Sequence, residues 1–462
     1  MQRVKKWMKR AVQHLTKQEL EVAGEKNKNI SEKMREAIAL WSKMYDDNPP
    51  WQGENVKSLN LPAAIAAETA RLATLEMQSE VSGGERARYL EEMYRPVLAQ
   101  MRRYVEYGCA KGGLVLKPYV CDGNILVDFV QADAFYPTAF DSSGNIISAV
   151  FTDKIQKGDK IFTRLERHSM ESDGYHVSNR AYVSRVSGEI GHEIPLSEVA
   201  QWEGLAQDVV IQNLRQPLFA YFKVPFANAV DTNSPLGVSV YARAVDLIKE
   251  ADKQYSRLLW EFESGERALY VSDTAFRLDE NGRVRIPDKR LYRLLGIEQG
   301  GDDLFSDWSP TLREENMLRG LNAILRKIEF NCGLAYGTLS DVDNVDKTAE
   351  EIRFSKQRSY SMICDIQKEI KYALCGLLEA MDALCSLYHL APEGSYEASF
   401  DFDDSIVADR ATEFAEKQQL LQDGILQPWE FRMWYFGETE QQAKAAVGAR
   451  VFRTDTKESG AA

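Results

Sequence analysis

Apolar residues recur at helical spacing through the first hundred positions. Met34, Ala37, Ile38, Trp41, Met44 and Tyr45 form one such stripe, and Asn48-Pro49-Pro50 ends it, which predicts an amphipathic helix with one buried face. A second helix is predicted from Leu61 to Met77 on Leu61, Ile65, Leu72 and Leu75, with Thr69 as a polar member of the same face. Ser82-Gly83-Gly84 is a break, and a third helix is predicted from Tyr89 to Tyr107.

The texture changes at Gly112-Gly113. Leu114-Val115-Leu116 and Ile125-Leu126-Val127 flank Asp122-Gly123-Asn124, the composition of a tight hairpin. Further short strands are predicted at Ala149–Phe151, Ile161–Leu165, Tyr175–Val177 and Ala181–Val183, separated by Asp141-Ser142-Ser143-Gly144-Asn145 and Asp173-Gly174. Strands in succession, not strands alternating with helices, give an antiparallel meander.

Helical spacing returns over residues 238–264, where Ala244, Leu247, Ala251, Tyr255, Leu258 and Phe262 make a narrow seam. A short mixed insert follows, with Ala268–Val271, Val284–Ile286 and turns at Asn281-Gly282 and Gly300-Gly301. A second helix is predicted from Glu314 to about Cys332, then a polar loop from Tyr336 to Lys347. The longest helix is predicted from about Thr348 to His389 on Ile352, Ile363, Ile366, Ile370, Leu374, Leu377, Met381 and Leu384. At the usual helical rise it spans ~60 Å. Beyond Pro392 the pattern gives an acidic strand, Ala398 to Asp404, and two helices separated by Ile425–Trp429, with a polar tail from Arg453 expected to be disordered. The fold class is α+β.

Composition narrows the functions open to such a chain. With 44% apolar and 27% charged residues among 462, it is a globular protein of several packed units. The formal charge of −13 is opposite in sign to that of a protein that grips nucleic acid by its phosphates. DNA meeting this surface would be repelled, as by a smooth channel wall. The basic segment Met1–Gln18 lacks the apolar stretch of a secretory leader and reads as a solvated helical face, with contact to nucleic acid or a partner as the alternative, and Glu379 and Asp382 interrupt the most apolar stretch, Tyr372–Ala391, so no membrane span is predicted. The six cysteines, Cys109, Cys121, Cys332, Cys364, Cys375 and Cys385, include no C-x-x-C pair and are expected to be reduced and buried.

No motif for enzymatic chemistry emerges. Gly108-Cys109-Ala110-Lys111-Gly112-Gly113 lacks the spacing and the hydroxyl of a phosphate-binding loop. His14, His168, His176, His192 and His389 are scattered, without a nucleophile elbow or an H-E-x-x-H pair; Arg167-His168 and His176 are expected to be paired at the surface. Asp341, Asp343 and Asp346 resemble the start of a calcium loop but lack its central glycine and closing glutamate, and Asp401-Phe402-Asp403-Asp404 reads as a strand end. No cofactor and no metal are expected.

The order of elements, together with three local passages, is similar to that of the portal proteins of tailed bacteriophages. Gln216-Pro217-Leu218-Phe219-Ala220-Tyr221-Phe222-Lys223, continuing through Asn228 to Ser234-Pro235-Leu236-Gly237-Val238-Ser239-Val240-Tyr241, resembles a passage of the portal (minor capsid) proteins of Listeria-type siphophages. Lys347-Thr348-Ala349-Glu350-Glu351-Ile352 resembles the start of their tunnel helix, with Glu350 in place of a common threonine. Asp423–Arg432 resembles their C-terminal turn and helix, with Gln427 in place of a serine and the arginine one position late.

The resemblance implies a portal fold: a wing of N-terminal helices and antiparallel strands at residues 1–237, stem helices at 238–266 and 312–335, and a small mixed α/β clip at 267–311. A tunnel loop at 336–347, a long tunnel helix returning to the wing at 348–402 and a helical crown at 403–462 complete it. The function implied is a ring, typically of about twelve copies, at one capsid vertex of the virion, assembled in the host cytoplasm, through which double-stranded DNA passes without sequence specificity. The implied partners are the packaging ATPase (terminase), head-completion and tail-connector proteins, and capsid and scaffold proteins, with no membrane. Thr338, Ser340, Asp341, Asp343, Asn344, Asp346 and Lys347 would line the channel, and Arg283, Arg285, Lys289, Arg290, Asp302 and Asp303 would meet the motor and connector. The alternatives are a metal-dependent nuclease of the packaging machinery using Asp341, Asp343 and Asp346, and another head-shell protein.

Overall fold

A computed structural model of the chain describes residues 31–75, 77–186, 188–266, 268–272, 292–295, 305–308, 310–341, 349–402 and 410–454. The chain separates into two compact units, Met1–Asp401 and Phe402–Ala462. Among the described residues, the first unit opens with four helices and one strand: α1 (Glu32–Tyr45), α2 (Leu61–Thr74), β1 (Met77–Gly83), α3 (Glu85–Leu98) and α4 (Met101–Lys111). Ser31 caps α1 by accepting the Met34 N–H at 3.2 Å.

Two of the predicted helices are corrected here. The second stops at Thr74, and Met77 opens a strand that pairs with β14 (Tyr396–Phe402), more than 300 residues away. That pairing is a long-range contact with no local signature. The predicted Tyr89–Tyr107 helix is two helices that part at Ala99-Gln100, three residues after Pro96. The face of α2 that is buried also differs from the expected one. It runs through Leu61, Ile65, Ala66, Thr69, Ala70 and Ala73, with Thr69 Oγ1 donating to Ile65 O at 2.8 Å, because small side chains let α2 lie close to α4.

The Asp122-Gly123 hairpin forms as expected. β2 (Gly113–Cys121) and β3 (Asn124–Gln131) are antiparallel with Cys121 opposite Asn124, and both turn residues have positive φ, 51° and 78°, the twist that a two-residue hairpin requires. β10 (Ala220–Lys223) adds to the other edge of β2. The meander is β4 (Phe135–Phe140), β5 (Ile146–Lys157), β6 (Lys160–Glu171) and β7 (Gly174–Ser184), with β8 (His192–Ile194) and β9 (Asp208–Ile211) both on β7. The two strands predicted at 175–177 and 181–183 are therefore one.

Two buried polar clusters sit in this region. The Lys111 ammonium meets the Asp133 carboxylate at 2.6 Å, and Ser42 Oγ donates to the same carboxylate at 3.2 Å. His168, expected at the surface, is buried. Its Nε2 donates to Glu166 at 2.9 Å and its Nδ1 accepts from the Tyr175 hydroxyl at 2.8 Å. Burial holds the His168 imidazole below its usual pKa, while Lys117, His168 and Arg164 together outweigh the burial of Glu166 and hold its carboxyl well below the carboxylate range. Cys121 is exposed, against expectation, whereas Cys109, Cys332 and Cys385 are buried; none of the six is in a disulfide.

The passage from Gln216 to Tyr241 is built around one close backbone approach. Val224 N–H donates to Gly112 O at 3.2 Å and Val240 N–H to Cys109 O at 2.9 Å. A Cβ on Gly112 would lie 2.6 Å from Gly237 O, and one on Gly237 would meet Gly112 O and lie 2.9 Å from Val224 N. Asn228 shapes the intervening loop, its Oδ1 accepting from Val230 N and Asp231 N and its Nδ2 donating to Leu236 O.

The described residues of the second unit hold α8 (Arg410–Gln422), α9 (Pro428–Phe436) and α10 (Glu440–Thr454), three helices where two were predicted. α10 carries Arg453 and Thr454, which were expected in the tail. Glu430 reaches back to the Gln427 N–H at 2.8 Å to start α9, and Phe414, Phe431 and Tyr435 form an aromatic cluster with centroids 5.4–6.0 Å apart.

Gly237→Ala is expected to destabilise the chain by about 1–3 kcal/mol or more, since backbone stands on both sides of the added methyl. Gly123→Ala, where φ is positive but no atom lies within 4 Å of the added carbon, is expected to cost about 1 kcal/mol. Urea unfolding midpoints of the two variants check this order.

Candidate functional site

The segment from Val245 to Leu387 holds the elements expected to form a channel. α5 (Val245–Ser264) begins seven residues later than predicted, after a 3-10 turn at Ala242–Ala244. Val238, Ser239, Val240 and Tyr241 are buried in the contact with α4 described above, so the helix starts only where that contact ends. α6 (Glu314–Cys332) returns antiparallel to α5. Asn331 Nδ2 donates to Arg243 O at 3.3 Å and Gln254 Nε2 to Met317 O at 3.4 Å. At the far end Glu261 takes three bonds from Arg313, from its backbone N at 3.1 Å, its Nε at 3.0 Å and its Nη2 at 2.6 Å. The hydrogen-bonded guanidinium holds the Glu261 carboxyl below its usual range.

Beyond that pair lies a three-stranded sheet. Its central strand β11 (Ala268–Ser272) is parallel to β12 (Tyr292–Leu295) and antiparallel to β13 (Phe305–Trp308). Arg283, Arg285, Lys289, Arg290, Asp302 and Asp303, expected at this end, lie outside the described residues.

On the other side of α6 the polar loop begins. Thr338 is exposed and Ser340 is buried; Asp341 is exposed, with its backbone paired to the Asn322 side chain, N–H to Oδ1 at 2.8 Å and Nδ2 to O at 3.2 Å. Asp343, Asn344, Asp346 and Lys347 lie outside the described residues. The residues that hold the loop's first half were not among those predicted. They are Glu329 and Asn322 on α6, and Arg358 on α7 (Ala349–Leu387). A sequence signal for the first two exists: Asn322 and Glu329 repeat at seven residues immediately beside the buried pair Leu321 and Ile328, which puts two polar groups at the margin of an apolar stripe.

α7 has 39 residues, about 58 Å of helix. From Met362 to Cys385 its stripe of Ile363, Ile366, Ile370, Leu374, Leu377 and Met381 is buried against β10, β2 and α2. Phe354 and Tyr372 on α7, Trp260 and Phe262 on α5, and Leu318 and Phe330 on α6 are exposed in the single chain.

Elsewhere the candidates for chemistry resolve into structure. The Gly108–Gly113 stretch is a helix end running into a strand, the reverse of a phosphate loop, in which a strand leads into a helix. A cavity of about 270 Å³ between α4, the β2–β3 hairpin and the meander is lined by Lys117, Asp153, Arg164 and Glu166, which pair with one another. Among the described residues, Glu171, Asp173 and His176 are the group whose ligand atoms lie close enough together to hold a metal ion, and they stand at a solvent-facing hairpin. No described helix is long and apolar enough to cross a membrane.

The family model described as "Phage portal protein, SPP1 Gp6-like" matches residues 99–446, three quarters of the chain. The chain belongs to the phage portal protein family. The matched span of this portal protein runs from the end of α3 through the meander, the α5–α6 hairpin and α7 into α10. The family is one of structural, non-enzymatic proteins. A solved chain described as "Neck of native GTA particle computed with C12 symmetry" superposes with a TM-score of 0.40 and 12% identity, over 81% of this chain and 89% of that one. No curated protein matches the chain.

The Glu261–Arg313 pair gives the α5–α6 hairpin a pH dependence. Because the Glu261 pKa is lowered in the folded chain, the pair's contribution is present above the ordinary glutamate value of about 4.3 and is lost as the pH falls through the lowered value. Protection factors of the amides near Gly265 and Arg313, corrected for the intrinsic pH dependence of exchange, are expected to fall at acid pH in the parent. Arg313→Ala should show lower protection factors already at neutral pH and little further change on acidification.

Proposed function

We propose that this portal protein forms a closed ring of about twelve copies at one vertex of a tailed-phage capsid and serves as the channel for genome packaging and ejection. The observation that carries the reading is the hairpin α5–α6 with its three-stranded insert, followed by an acidic loop and a 39-residue helix, in a chain of the portal family. In this reading residues 1–237 are the wing, 238–266 and 312–335 the stem, 267–311 the clip, 336–347 the tunnel loop, 348–402 the tunnel helix and its return, and 403–462 the crown.

The channel role falls on the loop. Thr338, Asp341, Asp343, Asn344, Asp346 and Lys347 face passing DNA, while Ser340 acts from within by holding the loop's shape. Asp341, Asp343 and Asp346 repel phosphates over about 8–10 Å at physiological ionic strength, which favours sliding over sticking. Arg283, Arg285, Lys289, Arg290, Asp302 and Asp303 of the clip meet the packaging ATPase and then the head-completion and tail-connector proteins. Capsid and scaffold proteins surround the ring, which assembles in the host cytoplasm and remains in the virion. The passages around Gly237, Thr348 and Gly424 support a relationship with the portals of Listeria-type siphophages.

Exposed apolar side chains on the long helices supply the surface between copies. Native mass spectrometry of the purified chain is expected to show a closed oligomer of about twelve, and Tyr372→Asp to lower its fraction relative to smaller species. A strict monomer at micromolar concentration and near-physiological salt would contradict the ring. Converting Asp341, Asp343 and Asp346 together to asparagine is expected to alter DNA packaging or retention and leave ring mass unchanged. Magnesium-dependent nuclease activity that disappears in the same variant would point to an enzyme.

A further inference from the structure

Glu329 is an acidic residue on the inner face of α6, and it is fully buried. A carboxylate can only accept hydrogen bonds, and removal from water is costly for it unless donors replace the solvent. The loop supplies four. Oε1 accepts from Gly337 N–H at 3.0 Å, Leu339 N–H at 2.7 Å and Ser340 N–H at 2.8 Å, and Oε2 accepts from Ser340 Oγ at 2.8 Å. Three backbone amides converging on one anion make the concave cradle in which proteins bind phosphate and other anions. Here the anion is the protein's own side chain.

The neighbouring bonds extend the arrangement. One helical turn-pair earlier on α6, Asn322 grips the backbone of Asp341 through both its amide groups. From the helix beyond the loop, Arg358 Nη2 donates to Leu334 O at 3.0 Å, and its guanidinium lies 4.6 Å from the Phe330 ring centroid and 5.3 Å from that of Tyr336. Residues 334–341 are thus held from α6 by Glu329 and Asn322 and from α7 by Arg358.

We infer that Glu329, assisted by Asn322, is the positioning residue of the DNA-facing loop, a latch that fixes residues 337–341 on α6 and so sets where the acidic side chain of Asp341 stands. The inference rests on the channel reading of this loop. It differs from a general packing role because the four bonds are directional and go to the loop alone; none of them joins α6 to the wing.

Amide exchange of the full-length assembled protein tests the latch. Glu329→Leu keeps the bulk and removes both acceptors, so the amides of Gly337, Leu339 and Ser340 should exchange roughly tenfold faster or more, with the amides of the β5–β7 strands unchanged. Glu329→Gln keeps one acceptor oxygen and can donate to Ser340 Oγ, so it should restore most of the protection. Asn322→Ala, which disturbs α6 least, should accelerate Asp341 by a similar factor and decides the matter if Glu329→Leu does not fold. Unchanged exchange at these amides in the variants overturns the latch.

A second measurement compares genome retention in particles carrying Glu329→Leu with those carrying the three aspartate-to-asparagine changes. Loss of retention in both, with rings of normal mass, supports the positioning role. Retention lost in the aspartate variant and intact in Glu329→Leu, despite accelerated exchange, overturns it. Retention intact in both removes the DNA role along with the channel reading and leaves the exchange result as the measure of the latch itself.

Discussion

Everything in the first unit leans on the burial of one helix that is longer than the core it enters. The stripe from Ile363 to Met381 on α7 is fully or almost fully buried, packed on the β10–β2–β3 sheet and on α2. Gly376 permits part of this closeness, since a Cβ there would lie 3.3 Å from that of Ala220. Each large aliphatic side chain so buried contributes about 1.5–3 kcal/mol. The helix cannot slide by one residue without turning its apolar face outward by about 100°. Its N-terminal third therefore leaves the core in a fixed direction, and that direction brings Arg358 to Leu334, Phe330 and Tyr336. The burial of α7 thus fixes this second hold on the loop, beside the bonds from Glu329 and Asn322 on α6.

Buried polar groups then decide which of the compact arrangements is adopted. Asp252 on α5 accepts from Trp51 Nε1 and Leu59 N, both at 2.8 Å, tying the segment after α1 to the α5–α6 hairpin. Arg86, also buried, pairs with Asp382 at 2.7 Å and donates to Ala391 O, tying α3 to the end of α7. Such groups add little net stability, because desolvation offsets most of the attraction. Their value lies in the cost of leaving them unmatched, which disfavours every alternative register. Buried groups of this kind favour a single, rigid arrangement of the first unit.

The chemistry of the surface is consistent with movement. A formal charge of −13 gives DNA little to grip, and the buried cations Lys111, Lys117 and Arg86 are all spent on carboxylates within the chain. Glu329 follows the same pattern, since its carboxyl oxygens are taken up by the loop amides and the Ser340 hydroxyl.

The hydrophobic pattern by itself determined the α+β class, the Asp122-Gly123 hairpin, the antiparallel meander and the order helix, insert, helix, loop, long helix, because each of these follows from local periodicity and turn chemistry. Asp341 and Thr338 were legible as loop residues for the same reason. The split of the third helix at Ala99-Gln100, the β1–β14 pairing, the burial of His168 and the role of Glu329 were not. A strand pair across more than 300 residues leaves no periodic trace in either segment. The seven-residue repeat of Asn322 and Glu329 marks polar groups beside the apolar stripe, but a polar residue there looks the same in sequence whether it is solvated or held by four donors. Only the tertiary structure shows the loop folding back so that the donors of residues 337–340 reach Glu329, and only it brings the ring of Tyr336 to Arg358, a contact that depends on where α7 lies, which is fixed by packing far along the chain.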